Sequence, residues 1–164
     1  DVSEMEKMLN EYLQFASSGS IEKTETFNIS DLLEKIILKY ETKKISIDIP
    51  KRIYFDGRKN LIQRCINNLI DNSIKYSQSI SVSLNKSNNN ILIIIDDDGP
   101  GIPENERENV FKPFYKINKS RGDSKSSVGL GLSIASDIVR SHGGNIKLET
   151  SPKNGLRTKI FLPF

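Results

Sequence analysis

The stretch 91-ILIIIDDDGPGIP-103 joins a short apolar run to three consecutive aspartates and a turn that contains two glycines and two prolines. Consecutive branched apolar residues that end at turn residues are typical of a buried strand. The segment 80-ISVSL-84 alternates apolar and polar residues, and the polar segment 85-NKSNNN-90 separates it from the apolar run. The two segments therefore predict a β-hairpin whose second strand ends at the acidic turn.

The segments on either side of this hairpin alternate between helical and strand patterns. Before it we expect a strand over 26–29, a helix capped by Ser30, strands over 45–50 and 53–55, an Asp56-Gly57 turn, and a helix of about 18 residues that ends at Tyr76. After it we expect a long loop over 113–128, a helix over 130–141, and strands formed by NIKLET and LRTKIFLP around the turn SPKNG. This order predicts an α+β fold, a two-layer sandwich in which helices cover one face of a mixed, mostly antiparallel sheet.

The first residues of the chain carry a helical pattern of their own. Val2, Met5, Leu9, Tyr12 and Ala16 recur at spacings typical of a helix that packs against another helix, and 17-SSGS-20 follows as a hinge. The helix either folds onto its own domain or pairs with another chain or a segment outside this sequence, and the polar hinge favours pairing. We therefore expect a division into residues 1–20 and a domain over 21–164, and the missing initiator Met suggests a piece of a longer protein.

Composition limits the classes of function. The 164 residues fit one domain, and the net charge of +3 with scattered basic residues gives no reason to expect nucleic acid. No apolar run approaches the roughly 20 residues that cross a bilayer, so we expect a soluble chain. The single cysteine, Cys65, excludes an internal disulfide and is predicted to be a small buried apolar residue. One His and one Cys cannot build a zinc site.

The helix that ends at Tyr76 carries an unusual polar face. Asn68 and Asn72 lie four residues apart and Lys75 lies three further on, so the three share one side of the helix. Asparagine is a mediocre helix former, which calls for another reason for its presence. Amide oxygens can enter a Mg²⁺ shell and an ammonium group can meet a phosphate oxygen. The alternative is a solvated face in an Asn-rich chain, and the helix alone does not decide between the two.

Two glycine-containing segments also suit a nucleotide. At the acidic turn, glycine lets a ligand approach the backbone, and a carboxylate there can accept a hydrogen bond from an exocyclic amine such as that of adenine. The segment 129-GLGLSIA-135 opens a helix whose free N–H groups can bind phosphate. The alternatives are a plain surface turn and an ordinary helix start. No Walker-type GxxxxGK[ST] and no GxGxxG fingerprint occurs in the sequence.

Taken in order, four segments resemble the N, first-glycine, F and second-glycine boxes of the ATP-binding catalytic domain of sensor histidine kinases, a Bergerat-type fold. The segments are Asn68-Asn72-Lys75-Tyr76, Asp97-Asp98-Gly99-Pro100-Gly101, Phe111-Lys112-Pro113-Phe114 and Gly129-Leu130-Gly131-Leu132. The resemblance covers residues 21–164, including HGGNIKLET and the terminal FLP. The opening DVSEMEKMLNEYLQFA resembles the end of the dimerisation helix of these kinases, and the narrower likeness is to EnvZ-like osmosensor kinases of Gram-negative bacteria.

The resemblance implies a site for Mg²⁺ and ATP. Asn72 would ligate the metal with support from Asn68, Lys75 would reach phosphate, Tyr76 would stack on or flank the adenine, and Asp97 would accept the adenine amino group. Asn68, Asn72 and Lys75 would be the catalytic residues. The other residues expected at the nucleotide are Gly99, Gly101, Ile102, Phe114, Tyr115, Lys116, Arg121, Lys125, Gly129, Leu130, Gly131 and Leu132. An ATP lid would run over about 115–128, anchored by Phe111 and Phe114, with a disordered linker as the alternative.

The implied activity is transfer of the γ-phosphate of ATP to a histidine on the dimerisation domain, and from there to an aspartate of a response regulator. The implied partners are that domain, the regulator and a second copy of the parent protein, on the cytoplasmic side of a bacterial inner membrane. Two features depart from the family pattern. Ser127 and Val128 stand where Gly and Thr are common, which would stiffen the lid, and the histidine motif that accepts phosphate is missing. The only histidine, His142, closes a helix and is interpreted as structural.

Two other functions remain open. An ATP-driven dimerisation clamp of the same superfamily, as in gyrase, MutL and Hsp90, would use a Glu one helical turn before the metal-binding Asn to activate water. Asn68 stands at that position and cannot act as a general base, and Asp71, the nearest carboxylate of the helix, is expected to point elsewhere. A degenerate scaffold that only binds nucleotide is the third interpretation.

Overall fold

The computed structural model describes residues 22–40, 44–115 and 130–164, together with residues 2, 3, 6, 7, 9, 10, 12 and 13. These ranges alternate strands and helices in the order expected. The elements are β1 (Glu25–Asn28), α1 (Ile29–Leu38), β2 (Lys44–Asp48), β3 (Tyr54–Gly57), α2 (Lys59–Tyr76), β4 (Ser79–Lys86), β5 (Asn90–Asp97), two single 3-10 turns (Glu104–Glu106 and Asn109–Phe111), α3 (Gly131–Ser141), β6 (Asn145–Thr150) and β7 (Leu156–Pro163).

The larger sheet has five strands in the order β2-β4-β5-β7-β6. Only β2 and β4 run parallel, and the other neighbouring strands pair antiparallel. The hairpin of β4 and β5 and the pair β6 and β7 form as predicted, because each has strong alternation and a short connection. The expectation of a mixed, mostly antiparallel sheet is confirmed.

Alternation along the strands sends one set of side chains into the core. In β4, β5 and β7 every second residue is buried, and α2 and α3 pack their apolar faces against this side of the sheet. The layer contributed by the helices includes Leu61, Ile62, Ile66, Leu69, Ile134, Ala135, Ile138 and Val139. Helices and sheet therefore form the two-layer sandwich predicted from the sequence.

The start of α1 differs from the prediction that Ser30 caps it. Asn28 is the capping residue, and its side-chain oxygen accepts the N–H of Asp31 at 3.2 Å. Ser30 lies inside the helix, where its hydroxyl group donates to the carbonyl of Pro50 and accepts the N–H of Ile53 at 3.2 Å. The Ser30 prediction is wrong because the buried hydroxyl satisfies the backbone before β3 instead of the helix end.

The predicted Asp56-Gly57 turn is also wrong. Both residues belong to β3, which pairs antiparallel with β1 so that Thr26 lies opposite Asp56 and Glu25 opposite Gly57. The hydroxyl group of Thr26 donates to the Asp56 carboxylate. Pairing with a strand about thirty residues earlier overrides the local turn preference of Asp-Gly.

The start of α2 is completed by residues from elsewhere in the chain. The residue before the helix, Arg58, makes no side-chain cap. The carboxylate of Glu22 accepts the N–H groups of Asn60 at 2.8 Å and Leu61 at 3.1 Å. Nε2 of His142 accepts the N–H of Arg58 at 3.0 Å. These contacts fix the helix that carries the asparagine face against the end of α3 and the segment that enters the domain.

The described residues near the N-terminus are helical. Tyr12 packs against the main core, whereas Val2 and Leu13 are 72% and 62% exposed. Met5, Ala16 and the hinge 17–20 lie outside the described residues. Among the helices in the described part of the chain, none is both long and apolar enough to cross a membrane.

Candidate functional site

Three of the four predicted segments meet at one end of the sandwich. The turn after β5 packs on the end of α2 so closely that a Cβ on Gly99 would lie 2.6 Å from the carbonyl oxygen of Tyr76. The start of α3 reaches the middle of α2, where Nδ2 of Asn68 donates to the carbonyl of Gly131 at 3.4 Å. The structure thus brings the asparagine helix, the acidic turn and the second glycine segment together.

Asp97 is held by one of its two carboxylate oxygens. The residue is only 3% exposed, and Oδ1 accepts the N–H of Gly99 at 3.0 Å and the N–H of Leu156 at 2.9 Å. Within the described ranges, no donor reaches Oδ2. One oxygen therefore fixes the side chain, and the other is left for a donor of a ligand.

The neighbouring carboxylates have different partners. Asp96 forms a two-bond ion pair with Arg157, whose Nε and Nη2 lie 2.8 and 2.9 Å from its oxygens, and this contact raises the pKa of Arg157. Oδ1 of Asp98 accepts the N–H groups of Gln78 at 2.9 Å and Ser79 at 3.1 Å, which lowers the pKa of Asp98. Asp96 and Asp98 thus support the turn around Asp97.

The polar face of α2 has the expected composition. Asn68, Asn72 and Lys75 are all partly exposed, and Nζ of Lys75 lies 5.7 Å from the ring centroid of Tyr76. Asp71 belongs to another side of the helix, because its Oδ1 accepts the hydroxyl of Tyr40 at 2.8 Å. Burial and this hydrogen bond raise the pKa of Tyr40.

The start of α3 lies beside the asparagine face. Among the described residues that are not its neighbours in the chain, the nearest atom to a Cβ built on Gly131 would be the Cβ of Asn68, at 4.0 Å, so the two helices approach each other at this glycine without a clash. Leu130 itself is buried in the core at 1% exposure. The first N–H groups of α3 therefore lie close to the asparagine face.

The aromatic residues of the F segment and the adjacent Tyr115 differ in burial. Phe111 and Tyr115 pack on a second apolar cluster formed by Val110, Leu148 and Leu156. The Tyr115 hydroxyl donates to the Glu106 carboxylate, which raises the pKa of Tyr115.

Phe114, by contrast, is 48% exposed and has a φ of 64°. A left-handed backbone is uncommon at a residue other than glycine. The anchoring of the lid by Phe111 and Phe114 stays a prediction. Lys116, Arg121, Lys125, Gly129 and the predicted lid beyond Tyr115 lie outside the described residues. Ile102 and Leu132 border the same second cluster.

The turn between β6 and β7, which no local pattern singles out as functional, lies directly behind Asp97. The hydroxyl of Ser151 donates to the carbonyl of Asp97 at 2.6 Å, and the N–H of Leu156 reaches Oδ1. The local sequence SPKNG, residues 151–155, predicts only a plain turn. The turn contacts a residue 54 positions earlier, so no local sequence pattern predicts this contact. The contact of Glu22 with the start of α2 is not predictable from the sequence for the same reason.

The donor set fits Mg²⁺ that is bound together with phosphate. Such ions usually take one or two protein oxygens and complete their octahedral shell with substrate phosphates and water. Asn68 and Asn72 are partly exposed and offer amide oxygens, and Asn68 lies next to Gly131. Within the described residues, no group of three or more His, Cys, Asp and Glu side chains could hold a metal ion.

Both ring nitrogens of His142 are engaged in the fold. Nε2 accepts from Arg58, and Nδ1 lies 2.8 Å from the carbonyl of Ile138, to which it donates. Burial lowers the pKa of His142, so the neutral ring is favoured. Cys65 is 1% exposed, and burial raises the pKa of its thiol to about 12. The structural interpretation of both residues agrees with these contacts.

The family model for "Histidine kinase-, DNA gyrase B-, and HSP90-like ATPase" matches residues 57–164, and the chain belongs to this family. The sensor histidine kinase GtrS of Pseudomonas aeruginosa is 32% identical over 165 residues, which cover 99% of this chain and 34% of GtrS. CpxA, a sensor histidine kinase of Escherichia coli, is 33% identical over 138 residues, which cover 82% of this chain and 30% of CpxA. The chain thus spans about a third of the length of these relatives.

Solved structures agree on the fold. The ATP-binding domain of PrrB from Mycobacterium tuberculosis is 28% identical, with a TM-score of 0.71 over 87% of this chain and 98% of that one. The resemblance to sensor histidine kinase ATP-binding domains is confirmed, and the Escherichia coli relative agrees with the narrower likeness to EnvZ-like kinases.

Proposed function

We propose that the chain binds ATP with Mg²⁺ and acts as the catalytic domain of a sensor histidine kinase, which transfers the γ-phosphate of ATP to a histidine of a dimerisation domain. The observation that carries this proposal is the carboxylate of Asp97, fixed by one oxygen at the same end of the fold as the asparagine face and the start of α3. A base and a polyphosphate need these two kinds of contact side by side.

The residues divide between the two ends of the nucleotide. Oδ2 of Asp97 accepts the exocyclic amine of adenine, Tyr76 flanks the base, and Gly99, Gly101 and Ile102 form the turn beneath it. Asn72 holds the metal ion with Asn68 behind it, and Lys75 and the first N–H groups of α3 meet phosphate oxygens. Lys116, Arg121, Lys125 and Gly129 are proposed to close over the phosphates from the lid. Bound Mg²⁺ supplies neutralisation of phosphate charge.

This chain contributes to the reaction more by positioning the nucleotide than by covalent chemistry. A nitrogen of the acceptor imidazole forms a bond to the γ-phosphorus, the bond to the bridging oxygen breaks, and ADP leaves. The acceptor lies on the dimerisation domain, because both nitrogens of His142 already have partners. An aspartate of a response regulator then takes the phosphoryl group. We place the parent protein, as a dimer, in a bacterial inner membrane with this domain on the cytoplasmic side.

The geometry disfavours a hydrolytic clamp. Activation of water needs a general base near the γ-phosphate, and Asn68 cannot accept a proton at that position. Asp71, the carboxylate nearest to Asn72 along the helix, is hydrogen-bonded to Tyr40. Transfer to an external nucleophile fits these contacts better than rapid hydrolysis.

Calorimetric titration with ATP and Mg²⁺ tests the proposal. Replacing Asp97 by Asn removes the charged acceptor, and we expect affinity to fall by about ten- to a hundredfold. Unchanged affinity in Asp97→Asn would overturn the assignment of the base. A phosphotransfer assay with an added dimerisation domain from a sensor kinase tests the reaction itself, and rapid ATP turnover without that acceptor would favour the clamp.

A further inference from the structure

The turn between β6 and β7 forms the rear support of Asp97. Ser151 is 4% exposed, and its hydroxyl group donates to the carbonyl of Asp97 at 2.6 Å. The same oxygen accepts the N–H of Lys153 at 3.1 Å and the N–H of Gly155 at 3.0 Å. One hydroxyl group therefore sets the shape of the turn and joins it to the backbone of Asp97.

The turn packs so closely against Asp97 that it has no room for a side chain at Gly155. A Cβ on Gly155 would lie 2.2 Å from the carbonyl oxygen of Asp97 and 2.5 Å from Oδ1. The next residue, Leu156, donates its N–H to that Oδ1 at 2.9 Å. The position of the Asp97 carboxylate thus depends on the path of the backbone from Ser151 to Leu156.

The tip of the turn is joined to the strand on the other side of the acidic turn. Nζ of Lys153 donates to the hydroxyl of Ser79 at 2.9 Å, and Asp98 accepts the N–H of the same serine. Asp97 consequently lies inside a ring of contacts between β4, the acidic turn and the β6–β7 turn. Such a support restricts rotation of the carboxylate about its side-chain bonds.

We infer that Ser151 is a positioning residue that sets the preference of the site for a 6-aminopurine over a 6-oxopurine. By fixing the turn, it keeps Oδ1 occupied and Oδ2 directed at the base. A carboxylate in that position accepts from a 6-amino group and repels the oxygen of a 6-oxo group. A carboxylate free to rotate discriminates less. This inference rests on the proposed binding of ATP.

The test compares ATP with inosine triphosphate, which carries oxygen at position 6, by calorimetry in the presence of Mg²⁺. In Ser151→Ala we expect the Kd for inosine triphosphate divided by the Kd for ATP to fall by about fivefold or more. Ser151→Thr retains the hydroxyl and should restore much of the ratio. A purely structural role would weaken both nucleotides equally and leave the ratio unchanged.

Ser87→Ala is the matched control. In the β4–β5 turn, the hydroxyl group of Ser87 donates to the carbonyl of Asn90 at 3.0 Å and accepts the N–H of Asn90 at 3.2 Å. Removing this hydroxyl group should leave the ratio of the two Kd values unaltered. Lys153→Met loosens the tip of the turn while the hydroxyl stays, and we expect a fall of about twofold. If Ser151→Ala does not fold, Lys153→Met decides the question. A wild-type ratio in the variants that do fold overturns the inference.

Asp97→Asn separates this inference from the proposed function. Its amide can donate to a 6-oxo group, so the ratio should fall below that of every serine variant. If Asp97→Asn leaves the ratio intact, the base site itself is misassigned. If Asp97→Asn changes the ratio and neither Ser151→Ala nor Lys153→Met does, the proposed function stands and the positioning role of Ser151 fails.

Discussion

Nε2 of His142 and the N–H of Arg58 form a 3.0 Å hydrogen bond between residues 84 positions apart, and this bond joins the end of α3 to the start of α2. Arg58 strengthens the junction, since its Nη2 donates to the carbonyl of Ser141 at 3.1 Å. The imidazole accepts only when it is neutral, so the junction is sensitive to pH.

We expect the stability of the domain to fall below about pH 6.5 in a way that depends on His142. Burial lowers the pKa of His142 from its usual 6.5, so the unfolded chain takes up a proton before the folded chain does. Stability from this residue is therefore complete above the unfolded pKa and is lost as the pH falls towards the folded pKa. Urea unfolding at about pH 7.5 and 5.5 measures the loss, which is bounded by about 1.4 kcal/mol per pH unit.

His142→Gln is the control for this titration, because it keeps a polar side chain and removes the ionisable group. The difference in unfolding free energy between the two pH values should shrink in His142→Gln. An equal pH dependence in both proteins would show that other groups govern the acid response.

Glu22→Ala should destabilise the domain by about 1 kcal/mol, since the Glu22 carboxylate supplies the missing cap of α2 and a negative charge at the positive end of its dipole. Glu25→Ala removes a carboxylate three residues away on the exposed side of β1, and we expect a change below about 0.5 kcal/mol. Chemical denaturation of the two variants gives the comparison. Equal losses would contradict a capping role.

Two glycine substitutions should differ in their effects on stability and on ATP affinity. Gly155→Ala forces a Cβ against the backbone of Asp97, and we expect a loss of about 2 kcal/mol or more in unfolding free energy. Gly131→Ala brings a methyl group 4.0 Å from the Cβ of Asn68, an ordinary contact, so stability should stay within about 0.5 kcal/mol of wild type. Because this glycine adjoins the proposed phosphate site, ATP affinity should fall by about threefold or more. Thermal unfolding measures the change in stability, and calorimetry measures the change in ATP affinity. Full ATP affinity in Gly131→Ala would contradict a phosphate site beside Gly131.

Asn72→Ala should abolish the contribution of Mg²⁺ to nucleotide affinity, because it removes the proposed metal ligand. Asn67→Ala is the matched control from the same helix, since Oδ1 of Asn67 accepts from Tyr40 at 3.4 Å on the side away from the site. Titrations with ATP in Mg²⁺ and in EDTA measure the difference between the two affinities. Retention of that difference in Asn72→Ala would remove Asn72 from the metal shell.

Local patterns were sufficient for most of the fold. The strands Asn145–Thr150 and Leu156–Pro163 and the 18-residue helix that ends at Tyr76 have the predicted bounds, because their periodicity is long and their flanks carry turn residues. Ser30 and Asp56-Gly57 were misassigned for one reason. Their local preferences for cap and turn are weaker than a buried contact and a strand pairing with distant residues.

The residues of the candidate site also differ in whether a local sequence pattern predicts them. Asp97 and the asparagine face stand out because several unusual residues lie close together in sequence. Ser151, Gly155 and Glu22 do not stand out, since each acts through a backbone group tens of residues away. Residues that would touch the ligand were therefore easier to predict than residues that hold them in place.

The strand order also shapes how the domain must be made. Among the described strands, β7 comes last along the chain, yet it lies inside the sheet, between β5 and β6. During synthesis the hairpin of β4 and β5 can form early, but the long edge of β5 stays open until Leu156–Pro163 has left the ribosome. A nascent chain that stalls shortly before this strand exposes the unpaired backbone groups of β5, an edge suited to aggregation, so the sheet is protected only once Leu156–Pro163 has paired.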